Sequence, residues 1–541
     1  TPGVSTEWAI DNRNDSYWLR GLSATAYLDG LTLRGGTYAT WKIDPYALER
    51  VEVLRGPSSV LYGQNAPGGL INQVSKRPTA SPINEAQISI GSFDYRQAAV
   101  DVGGALTADG ALLGRLVSVA RDSESQVDCA EDGRLLLAPS ITWKPSSATT
   151  LTLLGHVQRD RTDSTVGFLK KEGTVFANPN GKIPSNRYVG EPNFDQFDTD
   201  QAALGYELEH RLDDGIILRQ NARLSRIDMK YKTVYVSSYL ADMRTMRRLA
   251  ALSDSATVIG QIDNQAQFRF VHGPVEHTLL AGFDHLSSRN SEIYGVGAAP
   301  NIDIYNPVYG AAVTTPAISV SRVQRLSQTG LYAQDQIKVD KRWALTLGGR
   351  QDWAKARYVD RFAGTTAKRD DSAFTGRAGL AYLSDLGVTP YVSYSQSFLP
   401  VSTAGAAGRI LDPETGRQFE AGVKYQPPGG ESYVAAALFD LKRRNVVTYD
   451  LITFAPTQTG EVRSRGAELE VKLNLLRDFN LLAAYTYQDV EVTKSTAADL
   501  GKRPPTIPEQ TASLWADYKF AEGPQMIAAQ RQLESKLLLL L

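Results

Sequence analysis

The sequence predicts an all-β transmembrane barrel preceded by a small α+β domain, and three observations carry that expectation. From about residue 83 onward, apolar and polar residues alternate with period two in runs of about ten, the length a tilted strand needs to cross a bilayer. Short polar turns such as Asp213-Asp214-Gly215 alternate with long connections, the asymmetry between the two rims of an outer-membrane barrel. No run of 18 or more apolar residues occurs, which excludes a transmembrane helix but not a strand-built barrel, since a barrel shows no hydropathy peak.

The first element is the glycine-punctuated stretch from Leu19 to Pro78. Asp29-Gly30 between two short apolar runs predicts a hairpin. Asp44-Pro45 predicts a short helix, because Asp44 can cap free N–H groups and Pro45 at the first helical position forfeits no hydrogen bond. Val51 to Leu54 returns to strand character. Gly63, Gly68 and Gly69 then imply tight turns and close backbone approach.

Alternating runs follow, among them Gln97 to Gly103, Leu135 to Trp143, Ile216 to Ser225, Trp343 to Trp353, Gln418 to Tyr425, Arg465 to Leu473 and Thr511 to Phe520, about eighteen strands in all. Long loops are expected at Asp160 to Gln201, Tyr231 to Gly260, Arg289 to Leu326, Ala354 to Ser372 and Leu399 to Gln418. Trp143, Trp343, Trp353, Tyr391, Tyr394, Tyr485, Tyr487, Trp515 and Tyr518 stand near strand ends and suit the two aromatic girdles at the membrane surfaces. No fixed period appears, which argues against a propeller or solenoid. Met526 to Leu541 reads as a helix-like tail unlike the preceding chain, so residues 525–541 are set apart as atypical, in keeping with a frameshift or assembly error.

Composition narrows the function. The 541 residues carry a net charge of −1, without the basic excess of a nucleic-acid binder. The one cysteine, Cys129, excludes an intrachain disulfide framework. His156, His210, His272, His277 and His285 form no HxxxH or HExxH pairing, and no GxSxG motif occurs, so neither a protein-held metal nor a catalytic residue is expected.

Within the first element, Leu19-Arg20-Gly21, Asp29-Gly30, the run from Glu49 through Arg55-Gly56-Pro57, Leu61-Tyr62-Gly63 and Pro67-Gly68-Gly69 come in an order that resembles the second half of the plug domain of TonB-dependent outer-membrane receptors. Further along, LKKEGTV from Leu169, NPNGK from Asn178 and AGTTAKRDD from Ala363 resemble the ferrichrome-type hydroxamate siderophore receptors. The resemblance implies a barrel of twenty-two antiparallel strands, incomplete here, around residues 1–80 as the C-terminal half of the plug, with residues 81–524 as the barrel. It also implies a monomer in the outer membrane of a Gram-negative bacterium, contacting lipid and no nucleic acid. Lacking its last strands, such a barrel is expected to leave two unpaired edges, which lipid does not tolerate.

The same resemblance implies the function and the site. The ligand would be a ferric siderophore, with iron held by the chelate and no resident cofactor. The TonB–ExbB–ExbD complex would supply energy, although no TonB box or signal peptide precedes Thr1. Tyr38 falls at the plug-apex aromatic, Phe168 at a barrel aromatic and Tyr294 on a loop. The apex arginine of ferrichrome receptors falls near Trp8 or Ala9, and a tyrosine pair expected around Thr245 to Ala250 is missing. Arg20 and Arg55 are implied to pair with Glu420 and Glu468, holding plug to barrel. A receptor for another ferric chelate or cofactor, and a non-functional fragment of such a receptor, are the alternatives; a passive porin is disfavoured by the plug.

Overall fold

The computed structural model describes residues 2–6, 12–405, 407–449, 456–476, 478–495 and 499–518. Trp8, Ala9 and the atypical tail at residues 525–541 lie outside them. Asp29 and Gly30 both take positive φ, 52° and 79°, and close a hairpin in which Leu28 pairs with Leu31. Strand Thr25–Leu28 of this hairpin also pairs in parallel with Gly69–Ser75, which in turn pairs antiparallel with Leu48–Arg55. The short helix is the 3-10 turn Pro45–Ala47, capped by Asp44, whose carboxylate accepts from the Tyr46 N–H at 3.0 Å.

Among the described residues eighteen strands, from Ile83–Ile90 to Gln510–Tyr518, follow one another antiparallel, and their order closes into a ring around the plug. The alternation works as lipid and lumen demand. On Asp132–Ser146, Leu135, Leu137, Ile141 and Trp143 point outward, whereas Leu136, Ser140 and Thr142 are buried inward. The expectation of two open edges is therefore not what the strand order gives, since a closed ring has no edge strand. The seam differs from the rest of the wall. Ile88 and Ile90 on the first strand are 81% and 84% exposed, and Glu85, Ala86 and Gln87 are exposed as well, so alternation fails there.

Above the outward Trp353, basic residues take over on the outer face. Arg289 stands opposite Arg325, Arg325 opposite Arg357 and Arg357 opposite Lys368, as at the edge of an apolar band. One girdle assignment fails: the Tyr391 hydroxyl donates to Glu420 Oε1 at 2.6 Å, so this ring serves the lumen. Three expected long loops are largely strand. Ile216–Tyr239 and Thr245–His272 form one extended hairpin through 231–260, Val275–Asp303 and Val320–Val339 cover much of 289–326, and Trp343–Asp360 with Thr365–Tyr382 covers 354–372. These extensions stand clear of lipid, so nothing forces an apolar outer face and the period-two signal fades.

The connection 163–195 packs inside this extracellular turret. Ile183 and Val189 meet Val236, Met246, Ile302 and Ile304. Arg248, fully buried, pairs with Glu191 at 2.6 Å and donates to the carbonyls of Val189, Gly190 and Pro300. Asp195 ends the connection and accepts from the Tyr188 hydroxyl and the Val234 N–H, both at 2.8 Å. Burial pushes its carboxyl up to about 7, against those hydrogen bonds. A carboxyl raised on folding stabilises the fold at low pH and loses that contribution as pH rises through the folded value. Amide-exchange protection in residues 183–195 should therefore fall as pH climbs from about 4 to about 7 and level off above that. Asp195→Asn should flatten the profile; an unchanged profile in the variant would show that another group titrates.

Candidate functional site

The plug apex is the loop joining strand Leu31–Thr32 to the Asp44 cap. Gly36 N–H donates to Ala39 O at 3.1 Å, a tight turn that lifts Thr37 and Tyr38. Gly35 must be glycine, because a Cβ there would run into the Ala39 carbonyl, and a Cβ on Gly36 would press on Ser255 Oγ and Asn290 Oδ1 of the barrel wall at 2.8 and 2.9 Å. Thr37 Oγ1 bonds Glu292 Oε2 at 3.3 Å and accepts from Arg322 at 3.1 Å, while Arg322 pairs with Glu292 at 2.6 Å.

Tyr38 is half-buried against Tyr231, with ring centroids 5.2 Å apart. Burial raises its phenol, and the adjacent Arg13 opposes that. Phe168, 46% exposed, meets Tyr235 edge-on at 5.5 Å and holds a left-handed backbone, φ 53°. Strain of that kind persists only where the surroundings enforce it. Arg13 sits at the centre, its guanidinium carbon 5.2 Å from the Tyr38 ring centroid, 5.7 Å from Tyr231 and 5.8 Å from Phe168, and it donates to the Tyr231 hydroxyl at 3.1 Å. Tyr294 is not on a loop as expected but on strand Val275–Asp303, opposite Ser253, within electrostatic range of Tyr235, Tyr38 and Tyr231. Of the three residues singled out from sequence, Tyr38 and Phe168 thus meet at Arg13, with Tyr294 on the wall nearby. Sequence reasoning missed Arg13, Tyr231 and Tyr235; the last two, four apart on Ile216–Tyr239, supply an aromatic pair outside the 245–250 window.

Lower in the lumen, Arg20 is 1% exposed. It forks onto Glu468, Nε to Oε1 at 3.0 Å and Nη2 to Oε2 at 2.7 Å, and Nη1 reaches Glu420 at 2.7 Å and Gln418 at 2.9 Å. Burial alone would lower its pKa, but the two carboxylates outweigh burial and hold it above the ordinary arginine value. Arg55 contacts Glu468 at 3.0 Å and Glu470 at 3.5 Å. The four expected residues therefore meet, although Arg20 takes both glutamates and Arg55 shares one. Ser464 Oγ also donates to the Arg20 carbonyl at 2.7 Å.

A second charged anchor holds the other side of the plug. Asp29 accepts from Ser75 N at 2.8 Å, from Ser75 Oγ at 2.9 Å, from Arg77 at 2.9 Å and from Arg223 at 2.8 Å. Arg77 also forks onto Glu207 of the wall, and Arg223 donates to the Leu28 carbonyl at 2.7 Å. Burial pushes the Asp29 carboxyl up, but Arg223 and Arg77 together overcome it and the net shift is down.

Comparison with known proteins places this architecture. Residues 142–531 match the model of the TonB dependent receptor-like β-barrel, and residues 1–70 match the TonB-dependent receptor plug domain. The chain belongs to the TonB-dependent receptor family. This receptor is 38% identical to the ferrichrome outer membrane transporter/phage receptor of Escherichia coli K12, over 97% of its own length and 74% of the relative's. It is 36% identical to the ferrioxamine B receptor of Salmonella typhimurium SL1344, with 97% and 75% covered. Among solved structures it superposes on the siderophore receptor PiuA of Acinetobacter baumannii with a TM-score of 0.84 at 22% identity, covering 96% of this chain and 81% of that one, a likeness of fold. Family membership makes this an outer-membrane protein of Gram-negative bacteria, and the family is one of transporters and receptors.

Proposed function

We propose that this receptor takes up an iron-loaded siderophore of the hydroxamate class, seated on the cluster of Tyr38, Tyr231, Tyr235, Phe168 and Arg13. The observation that carries the reading is the convergence of plug and barrel aromatics on one buried cation at the plug apex. Aromatic faces with few polar groups suit a large, weakly polar organic chelate. The similarity to ferrichrome and ferrioxamine receptors supports the hydroxamate class over catecholates. Iron is cargo within the chelate, with no resident cofactor. Energy comes from the TonB–ExbB–ExbD complex acting on the plug. A receptor for a different ferric chelate is the second reading, since the apex contacts differ from the pattern expected of ferrichrome receptors.

Titration of the purified receptor with ferric hydroxamates, ferric catecholates and cobalamin, followed by quenching of intrinsic fluorescence, tests this. Tyr231→Ala should weaken the preferred hydroxamate by about 10–100-fold, the scale of an aromatic anchor. Indifference of the receptor to every hydroxamate would rule out the class.

A further inference from the structure

Four neighbouring strands of the wall bring three carboxylates to one level of the lumen. Asp263 stands directly opposite Asp284, Asp284 opposite Gly330 and Gly330 opposite Asp352. The Arg350 guanidinium lies over Gly330, where a Cβ would collide with it. From there it forks onto Asp284 at 2.5 and 2.8 Å and onto Asp352 at 2.8 and 2.9 Å. Asp263 accepts from neutral groups, the Tyr332 hydroxyl at 2.6 Å and the Gln265 amide at 2.7 Å. Asp263 and Asp284, facing each other across one strand pair, are the like-charge arrangement that destabilises a sheet. The plug side adds Arg34, which bonds the Gln64 amide oxygen and no carboxylate among the described residues. Three carboxylates and two guanidinium groups leave one negative charge over.

A cavity of about 40 Å3 lies at this place, between Thr32, Gly63 and Gln64 of the plug and Asp263, Asp284 and Gln328 of the wall. Gln328 donates Nε2 to Asp352 at 2.7 Å, which fixes the amide so that Oε1 points away from that carboxylate. This oxygen has no hydrogen-bond partner, on a residue only 3% exposed. In the same way Arg34 takes Gln64 Oε1 and leaves Gln64 Nε2 without a partner. Buried polar atoms left so are costly and call for an occupant.

The chemistry of the lining selects the occupant. The space admits roughly three water-sized bodies. Among the described residues no three acidic, histidine or cysteine side chains converge as a multivalent metal demands. Two carboxylates, a neutral amide oxygen and one surplus negative charge suit a small monovalent cation, with a water beside it to accept from Gln64 Nε2.

We propose that this cavity binds a sodium ion on Asp263, Asp284 and Gln328 Oε1, and that the ion ties the plug to the arc of wall between the Arg20 and Asp29 anchors. The purified receptor in detergent is compared in sodium chloride and in choline chloride at equal ionic strength, choline being too large for the cavity. Sodium at about ten times its Kd should slow amide exchange in Leu28 to Leu33 and Leu61 to Gln64 about tenfold. The sodium NMR line should broaden saturably over the same range. Asp263→Asn keeps the shape and removes the surplus charge. It should abolish the sodium response and, in choline, protect the plug better than the wild type, a gain that no folding defect imitates. Gln328→Leu keeps the charge and loses the oxygen, so the sodium concentration needed should rise at least about tenfold. Equal exchange in sodium and in choline would mean that a proton meets the surplus charge, and the proposal fails. It fails as well if Asp263→Asn responds to sodium as the wild type does.

Discussion

Replacing Arg20 by methionine should loosen the plug by about 3–5 kcal/mol, the scale for breaking one side of a buried ionic network. The cause is less the lost attraction than what remains. Glu468 is 2% exposed on its side chain and would keep only Arg55, itself partly solvated, while Glu420 would keep the Tyr391 hydroxyl but no cation within bonding distance. Amide exchange in Leu19 to Leu28 should speed up by about two to four decades, the equivalent of that energy. The diagnostic comparison is Arg20→Met with Glu420→Gln and Glu468→Gln, which removes the stranded charges along with the arginine. It should recover much of the protection, because a neutral set in the same space costs far less than an unpaired ion. If Arg20→Met leaves exchange at the wild-type rate, the network does not hold the plug.

The plug was legible in sequence because its signals are local. Asp29-Gly30 demands a turn with positive φ, and Asp44-Pro45 demands a helix start, whatever surrounds them. The membrane strands were legible because lipid imposes alternation on each strand separately. The turret was not: from Tyr231 to Gly260 the chain runs through Ala250, Ala251 and Leu252, all buried in succession by packing that no period reveals. Arg13, amid Asn12, Asn14 and Asp15, looks like part of a solvated polar stretch. Its role comes from Tyr231 and Phe168, more than 150 residues away, and such partners leave no trace at short range. The same holds for Asp29, read for its turn alone, whose partner Arg223 lies 194 residues on.

Asp29→Asn should have the other large effect, again about 3–5 kcal/mol against plug docking at neutral pH. The carboxylate lies between Arg77 and Arg223, so an amide would leave two guanidinium groups facing each other with only Glu207, at the Arg77 end, to offset them. Its pH dependence is distinctive. Because the folded pKa is depressed, the wild-type stabilisation is present above the unfolded carboxylate value, about 4, and disappears as pH falls through the folded value. The two proteins should therefore differ most near pH 7 and converge in acid, as followed by plug amide exchange in detergent. A constant difference across the acid range would mean that the loss comes from shape rather than charge. The Arg20 and Asp29 anchors also grip opposite walls, one on Glu414–Tyr425 and Pro456–Leu476, the other on Gln196–Arg211 and Ile216–Tyr239. They share no side chain, so their losses should add to within about 0.5 kcal/mol.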